Sequence, residues 1–228
     1  RVPWRALYFW ELEQYFHTME EVKLEFSVAA EILTGLELDY NDRTPGYYRN
    51  ILPEMPLDYV VGSIHAVKDW IIDLKGSLDD SFLSGADALQ VYEAYFAAVR
   101  EAARSELYDF IGHPDYCKKA LAYYNLEKPR DLRKIYRETA ECLAAYHTGI
   151  EINTRGLILP EIGEFYPDRE FLVECIRAEV PVTIGSDDHD GERGGENFDQ
   201  AVNFAHESGC RELSYWKKRE RQDSSLVG

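Results

Sequence analysis

The chain has 228 residues, of which 45% are hydrophobic, enough for one large core or two small ones. Its 42 acidic residues outnumber its 25 basic ones, and the formal charge of −17 argues against a nucleic-acid backbone as the main partner. An anionic small substrate is still compatible with this charge, because a bound cation can reverse the local field. The sequence has no run of about 18 apolar residues, which argues against a membrane-spanning helix.

The cysteines lie far apart in the sequence and form no Cys-x-x-Cys pair. In a chain of this length they indicate reduced, mostly buried thiols and a cytoplasmic protein, and they argue against a zinc finger. The four are Cys117, Cys142, Cys175 and Cys210.

Hydrophobic periodicity predicts the elements of the first half in chain order. A helix lies within residues 1–30, and strands over 32–38 and 58–65 each end in titratable residues. Residues 77–90 are acidic and predict a surface excursion, and an amphipathic helix follows over 91–103.

Strands and helices continue to alternate in the second half, which is typical of a parallel sheet with helical crossovers. Because no internal repeat or linker interrupts the pattern, we expect a single domain over 1–228. The predicted elements are a strand over 107–111, a helix over 130–147 with Gly149 as its C-cap, a strand over 150–154, a helix over 171–179, a strand over 180–184, a helix over 198–205 that stops near Gly209, and a weak strand over 213–216 before a polar tail from Lys217.

Four predicted strands end in possible metal ligands. These are Glu37, His65, His113 and the pair Asp187 and His189, whose side chains project to the same side in extended geometry. The carboxyl ends of parallel strands meet at one edge of a sheet, where α/β barrels keep their chemistry. A polar turn at each strand end is the alternative for any one of these residues, but four such endings favour a shared site.

The chemical types of these five residues indicate the metal. Two carboxylates and three imidazoles suit zinc, iron or manganese better than magnesium or calcium. Five ligands exceed what one tetrahedral zinc needs, so they indicate at least two ions with a carboxylate such as Glu37 between them. Asp39 is a weaker candidate for the metal shell, and Asp115 could either orient a ligand histidine or cap a helix. We expect His17, His147 and His206 to have no site role, since they lie in or near helices.

Five motifs occur together in this chain in a specific order and spacing. In that order and spacing they resemble the polymerase and histidinol phosphatase (PHP) superfamily, and within it the histidinol-phosphate phosphatase branch. The motifs are Gly-Leu-Glu-Leu-Asp-Tyr (35–40), Asp-Tyr-Val-Val-Gly-Ser-Ile-His (58–65), Ile-Gly-His-Pro-Asp (111–115), Glu-Ile-Asn-Thr (151–154) and Gly-Ser-Asp-Asp-His (185–189).

This resemblance implies an α/β fold, a distorted TIM-like (βα)7 barrel of the PHP type with two to three divalent ions (Zn, Mn or Fe). It implies hydrolysis of a small phosphate monoester, most specifically L-histidinol phosphate to L-histidinol and phosphate in histidine biosynthesis. Attack on phosphorus by a metal-bridging hydroxide would leave no phosphoenzyme. Glu37 would bridge the ions, His65 and His113 would complete one metal site, and Asp187 and His189 would each serve one of the other two. Glu37, Asp187 and His189 are accordingly the predicted catalytic residues.

The chain departs from the family pattern at its start. The family begins with a strand that carries His-x-His and a second strand that ends in histidine, and neither occurs after Arg1. Because the first residue is not methionine, we expect two βα units before Arg1. The alternative is a truncated chain with an incomplete site, which could be a non-catalytic, metal-stabilised module.

A second departure concerns the substrate. Histidinol phosphatases tend to carry a basic residue where this chain has Ile158. Arg155, Lys118, Lys119 and Arg193 are the candidate phosphate-binding residues, although Arg155 could equally be a surface arginine, and Lys118 and Lys119 fit better as solvent-exposed charges. A phosphodiesterase or nuclease of the same superfamily is the rival activity, with the charge of −17 against it. The sequence does not predict the oligomeric state.

Overall fold

The computed structural model of the chain describes residues 7–41, 45–67, 70–72, 88–189 and 191–226. Five of its strands, Gly35–Asp39 (β1), Tyr59–Ser63 (β2), Phe110–Ile111 (β5), Gly149–Asn153 (β6) and Val182–Gly185 (β7), form one parallel sheet in that order. The strands of the described residues are β1 (Gly35–Asp39), β2 (Tyr59–Ser63), β3 (Ala66–Val67), β4 (Trp70–Ile71), β5 (Phe110–Ile111), β6 (Gly149–Asn153), β7 (Val182–Gly185), β8 (Glu212–Lys217) and β9 (Glu220–Ser225).

Helices connect the strands of this sheet. The helices of the described residues are α1 (Leu12–Glu25), α2 (Pro45–Ile51), α3 (Ala88–Arg104), α4 (Lys118–Tyr124), α5 (Arg133–Ala145), α6 (Arg169–Arg177) and α7 (Phe198–Glu207), with short 3-10 turns at Phe9–Glu11, Leu52–Glu54 and Thr154–Ile158. The predicted alternation of strands and helices is therefore confirmed.

The core lies between the sheet and the inward faces of α3, α5 and α6. The apolar positions of α3 recur with helical spacing, so one face of this helix is fully buried. Phe96 on that face packs against Tyr136 of α5 and Phe171 of α6, with ring centroids 5.3 and 5.0 Å away. Strands β2, β5 and β6 lie inside this layer, which explains their nearly continuous apolar sequences.

Element boundaries differ from the predictions at several places. Strand β1 begins at Gly35 rather than at residue 32, and residues 88–90 of the predicted surface excursion are the first turn of α3, while 77–87 lie outside the described residues. The prediction of Gly149 as a C-cap is wrong, because Gly149 begins β6. The left-handed residue after α5 is His147, with a φ of 54°, and the Thr148 amide closes the turn on the Leu143 carbonyl.

An antiparallel hairpin of β8 and β9 packs at the amino end of the sheet. The weak strand predicted at residues 213–216 is confirmed as part of β8, but the polar tail also contains β9, whose residues are all exposed. Trp216 of β8 stacks on Phe110 at a centroid distance of 5.0 Å. A β-carbon at Gly149 would lie 2.7 Å from the Trp216 ring, so the glycine makes room for the hairpin.

The turn of this hairpin donates hydrogen bonds to two aspartates that precede strands. Arg219 Nε donates to Asp109 Oδ2 at 2.5 Å, and the Lys218 amide donates to Asp58 Oδ1 at 3.2 Å. Asp58 Oδ2 also accepts from the Thr34 amide at 2.8 Å and from Lys23 Nζ at 3.3 Å. Both aspartates are buried, and each therefore has its charge matched where it meets the sheet.

Two further predictions can be compared with the described residues. All four cysteines are buried free thiols, as expected from their spacing. No helix in the described ranges is both long and apolar enough to cross a membrane.

Candidate metal centre

Three predicted ligands meet at the carboxyl edge of the sheet. Glu37 lies on β1, and His65 and His113 each follow the end of a neighbouring strand by two residues. One ligand atom from each of the three side chains lies within 4.8 Å of the others. The parallel register of β1, β2 and β5 produces this convergence, because the three strands end at the same level.

Hydrogen bonds and charge couple the three side chains. Glu37 Oε1 lies 3.5 Å from His113 Nε2 and 3.9 Å from His65 Nε2, and it accepts a hydrogen bond from Ser63 Oγ at 2.5 Å. Desolvation alone would raise the pKa of Glu37, but His113, Ser63 and His65 outweigh it and lower that pKa to about 2. Burial alone would lower the pKa of His113, but the Glu37 carboxylate raises it to about 9.

The donor set fits a divalent metal ion. His113 is buried, and its Nδ1 has no hydrogen-bond partner among the described residues. Among the described residues, Glu37 forms ion pairs only with the two histidines. No lysine or arginine of these residues therefore competes with a metal for the Glu37 carboxylate. One carboxylate and two imidazoles match the ligand preferences of zinc, manganese and iron.

Asp39 lies behind His65 rather than among the three ligands. Its Oδ1 is 2.5 Å from His65 Nδ1, and His65 Nε2 is the nitrogen that faces Glu37. A carboxylate on the far nitrogen fixes the ring and its tautomer in many metal sites. The alternating direction of side chains along β1 places Glu37 and Asp39 on the same side, which explains why both reach His65.

Asp187 and His189 follow β7 and form a pair of their own. His189 Nε2 lies 2.8 Å from Asp187 Oδ1, and Asp187 is close enough to His113 to contribute to its raised pKa. Neither residue belongs to the three-residue cluster in the described part of the chain. His113 and Asp187 have φ values of 31° and 48°, a left-handed conformation that is uncommon outside glycine and is often found at functional sites.

The four candidate phosphate-binding residues lie in different surroundings. Arg155 is next to the centre, and its Nη1 donates to the Asp187 carbonyl at 2.7 Å. Arg193 is exposed and pairs with Glu196 at 3.1 Å. Lys118 and Lys119 differ from these two arginines, because both lysine side chains are buried.

The expectation that Lys118 and Lys119 are solvent-exposed charges is wrong. Lys118 Nζ lies 3.0 Å from both Asp115 and Glu164 and donates to the Phe165 carbonyl at 2.6 Å. Lys119 Nζ donates to the Tyr116 hydroxyl at 2.9 Å. Sequence spacing could not show this, because Glu164 and Phe165 lie 46 and 47 residues after Lys118 in the chain. A substrate role for these two lysines stays a prediction.

Asp115 matches neither of its two predicted roles. Its Oδ2 accepts a hydrogen bond from the Asp168 amide at 2.9 Å and pairs with Lys118. Asp168 in turn caps α6 through the Phe171 amide at 3.0 Å. Asp115 thus joins the loop after β5 to the start of α6, and the pKa of Asp115 is raised to about 6, chiefly by burial.

Glu151 is a buried carboxylate that is not among the predicted site residues. This residue lies on β6 between the fully buried Ile150 and Ile152, and its Oε2 accepts from the His113 amide at 3.0 Å. The same oxygen accepts from Asn153 Nδ2 at 2.8 Å. Burial raises the pKa of Glu151 to about 7. A carboxylate within an otherwise apolar strand was the signal available in the sequence.

Comparisons with known proteins agree with this geometry. The PHP domain family matches residues 7–155. A protein named probable histidinol-phosphatase from Deinococcus radiodurans is 28% identical over 216 residues, which cover 93% of this chain and 78% of that protein. Histidinol-phosphatase from Lactococcus lactis is 25% identical over 204 residues, covering 89% of this chain and 74% of the relative.

A solved structure is similar over most of the chain. The histidinol phosphate phosphatase of Lactococcus lactis, complexed with zinc, L-histidinol and phosphate, has a TM-score of 0.76 at 23% identity. The match covers 92% of this chain and 79% of the solved one. This likeness confirms the predicted fold class, an α/β fold of the distorted TIM-barrel type.

Proposed function

We propose that this chain, which belongs to the PHP domain family, is a metal-dependent phosphatase that hydrolyses L-histidinol phosphate to L-histidinol and phosphate. The observation that carries the proposal is the cluster of Glu37, His65 and His113 within 4.8 Å at the carboxyl edge of the sheet. The names of the relatives support the choice of substrate. The reaction would belong to histidine biosynthesis in the cytoplasm.

Two to three divalent ions, zinc, manganese or iron, would occupy the centre. Glu37, His65 and His113 would hold one ion, and Asp187 and His189 would contribute to the others. Bound ions would supply a Lewis acid for the phosphoryl oxygens and a water of lowered pKa. The low pKa of Glu37, about 2, keeps this carboxylate ionised and ready to bind a cation at any physiological pH.

The protein side chains would orient the ligands and the phosphate. Asp39 would hold the His65 ring so that Nε2 faces the centre. Arg155 is the best placed of the candidate phosphate-binding residues, because it lies beside Asp187. A guanidinium group carries five N–H donors, and the Asp187 carbonyl accepts only from Nη1, so donors are left for a phosphate oxygen.

Phosphate release from L-histidinol phosphate by the full-length, metal-loaded protein tests the proposal. We expect a chelator to abolish turnover and zinc, manganese or iron to restore it. His113→Ala should reduce kcat/KM by more than about a hundredfold, the upper end for the loss of a residue that merely supports a ligand. His17→Ala is the matched control, since His17 lies on an exposed face of α1, and it should leave kcat/KM unchanged.

Other substrates separate the alternatives. Preference for bis-p-nitrophenyl phosphate over monoesters would replace the proposal with a phosphodiesterase. Absence of turnover on any ester, with the metal bound, would replace it with a non-catalytic metal-stabilised module.

A further inference from the structure

We propose that Glu151 is a positioning residue, which sets the distance between the metal ligands His113 and Asp187. It accepts a hydrogen bond from the His113 amide, and it is linked to Asp187 by hydrogen bonds that pass through Asn153 and Arg155. The inference rests on the proposed function, because it treats His113 and Asp187 as ligands of the same centre. His113 and Asp187 follow β5 and β7, which are the two neighbours of β6 in the sheet. A side chain on β6 is therefore well placed to link them.

The first link joins Glu151 to the His113 loop. Glu151 Oε2 accepts a hydrogen bond from the backbone amide of His113 at 3.0 Å. This amide belongs to a residue with a φ of 31°. Such a conformation persists only where the surroundings favour it, and a carboxylate acceptor on the amide is one such contact.

The second link runs along the end of β6 to the Asp187 loop. Glu151 Oε2 also accepts from Asn153 Nδ2 at 2.8 Å, and Asn153 Oδ1 accepts from the Arg155 amide at 3.0 Å. Arg155 Nη1 then donates to the carbonyl of Asp187 at 2.7 Å. Asp187 has a φ of 48°, so this chain of hydrogen bonds also ends on the backbone of a left-handed ligand residue.

Gly185, the last residue of the neighbouring strand β7, leaves room for the Glu151 carboxyl group. A β-carbon at Gly185 would lie 1.8 Å from Glu151 Oε1. A β-carbon at Gly112 would lie 3.6 Å from Glu151 Oε2 and 2.9 Å from Val61. Gly112 immediately precedes His113, and Gly185 precedes Asp187 by two residues, so each glycine lies close to one of the two ligands in the sequence.

Metal affinity, measured by competition with a chromogenic chelator using zinc and manganese, tests the inference independently of turnover. We expect Glu151→Ala to weaken metal binding by about 10- to 100-fold, the usual effect of losing a residue that supports a ligand. Glu151→Gln keeps the shape and one acceptor oxygen, so its effect should be smaller. If Glu151→Ala does not fold, Gly185→Ala decides the question, because the inference requires displacement of the same carboxyl group to weaken metal binding by several-fold.

Gly185→Ala gives a second route to the same change. Its methyl group would push the Glu151 carboxyl group away without removing it, so metal binding should weaken as in Glu151→Ala. In the double variant the two effects should not add, because the displaced group is already gone. Thr139→Val is the matched control: Thr139 is buried in α5 away from the centre, so metal affinity should be unchanged even if stability falls.

The outcomes separate this inference from the proposed function. Metal affinity within twofold of the parent protein in Glu151→Ala, or additive effects in the double variant, would overturn the positioning role while L-histidinol phosphate turnover continued. Weaker metal binding by these variants in a protein that did not hydrolyse L-histidinol phosphate would support the positioning role and overturn the proposed substrate. A parent protein that bound neither metal would overturn the inference.

Discussion

The two ends of the parallel sheet carry similar acidic side chains with different partners. At the amino end, Asp58 and Asp109 are matched by Lys23, Arg219 and backbone amides. At the carboxyl end, the acidic residues are Glu37 and Asp39. Their partners are Ser63, His65 and His113. The same β1–β2–β5 segment of the sheet supplies both ends.

This difference separates a structural carboxylate from one that can bind a metal. A lysine or arginine keeps its proton at physiological pH and satisfies a carboxylate permanently. An imidazole can release its proton when a metal ion arrives, and both the imidazole and the carboxylate then become ligands. The kind of cation beside a carboxylate is therefore more informative than the presence of the carboxylate itself.

The largest expected effect is at the carboxyl end. We expect the Glu37→Gln variant to bind less metal, because an amide is a poor bridging ligand. Its kcat/KM should fall by more than about a hundredfold. The fold should persist, since 42% of the side-chain surface of Glu37 is exposed. Metal analysis and urea unfolding of the same sample would check this, and full metal content in the variant would contradict the assignment of Glu37.

A substitution at the amino end should have the opposite pattern. Arg219→Met leaves the Asp109 carboxylate buried without its cation, and we expect a loss of about 3 kcal/mol in unfolding free energy. Activity per folded molecule should be unchanged. Arg221→Met is the control, because Arg221 makes a more exposed ion pair with Asp223 and should contribute less than about 1 kcal/mol. Equal losses of unfolding free energy in the two variants would show that the Arg219–Asp109 ion pair contributes no more to stability than the exposed Arg221–Asp223 pair.

The contribution of Asp58 should depend on pH. Burial alone would raise the pKa of Asp58, but hydrogen bonds from Thr34, Lys218 and Lys23 lower it below its ordinary value. Its stabilisation is therefore complete well above about pH 3.9, the pKa of an unfolded aspartate, and is lost as the pH falls through the folded pKa.

Asp58→Asn should therefore cost about 1–3 kcal/mol at pH 7 and progressively less towards pH 3. Urea unfolding of both proteins across this range measures the difference. A constant difference at all pH values would assign the effect to packing instead of charge.

The smallest expected effect comes from Lys23→Met. Lys23 lies 3.3 Å from Asp58, but the carboxylate keeps two amide donors without it. We expect a loss of about 0.5 kcal/mol, which should diminish further at high salt. A loss as large as that of Asp58→Asn would show that the amide contacts contribute little.

Much of the fold could be predicted because its elements have one apolar face. Helices α3, α5 and α6 and strand β1 show this periodicity in the sequence, and strands β2, β6 and β7 are recognisable as short, mainly apolar runs. Strand β9 shows none, because its six residues are all exposed and it is held by backbone pairing with β8. Gly149 was predicted to end a helix because glycine is common at helix ends. Its contact with Trp216 involves a residue far along the chain, which the local sequence does not indicate.

The meeting of the three candidate ligands could be predicted from the sequence, whereas most of the contacts that support them could not. Glu37 lies within β1, and His65 and His113 follow the neighbouring strands β2 and β5, so the order of the strands brings the three together. The supports depend on contacts between distant residues: Lys118 was expected at the surface, yet it pairs with Glu164. Glu151 on β6 contacts the loop after the neighbouring strand β5. Local sequence patterns do not predict that its Oε2 accepts a hydrogen bond from the His113 amide.

The β8–β9 hairpin also affects the order in which the molecule can be completed during synthesis. Asp58 receives a hydrogen bond from an amide 160 residues later in the chain, and Asp109 receives its arginine 110 residues later. A ribosome makes both aspartates long before it makes their partners. Contacts at such separations close large loops and form slowly, so docking of the hairpin is expected to be a late step. The amino edge of the sheet thus reaches its final stability only when residues 218 and 219 have been added.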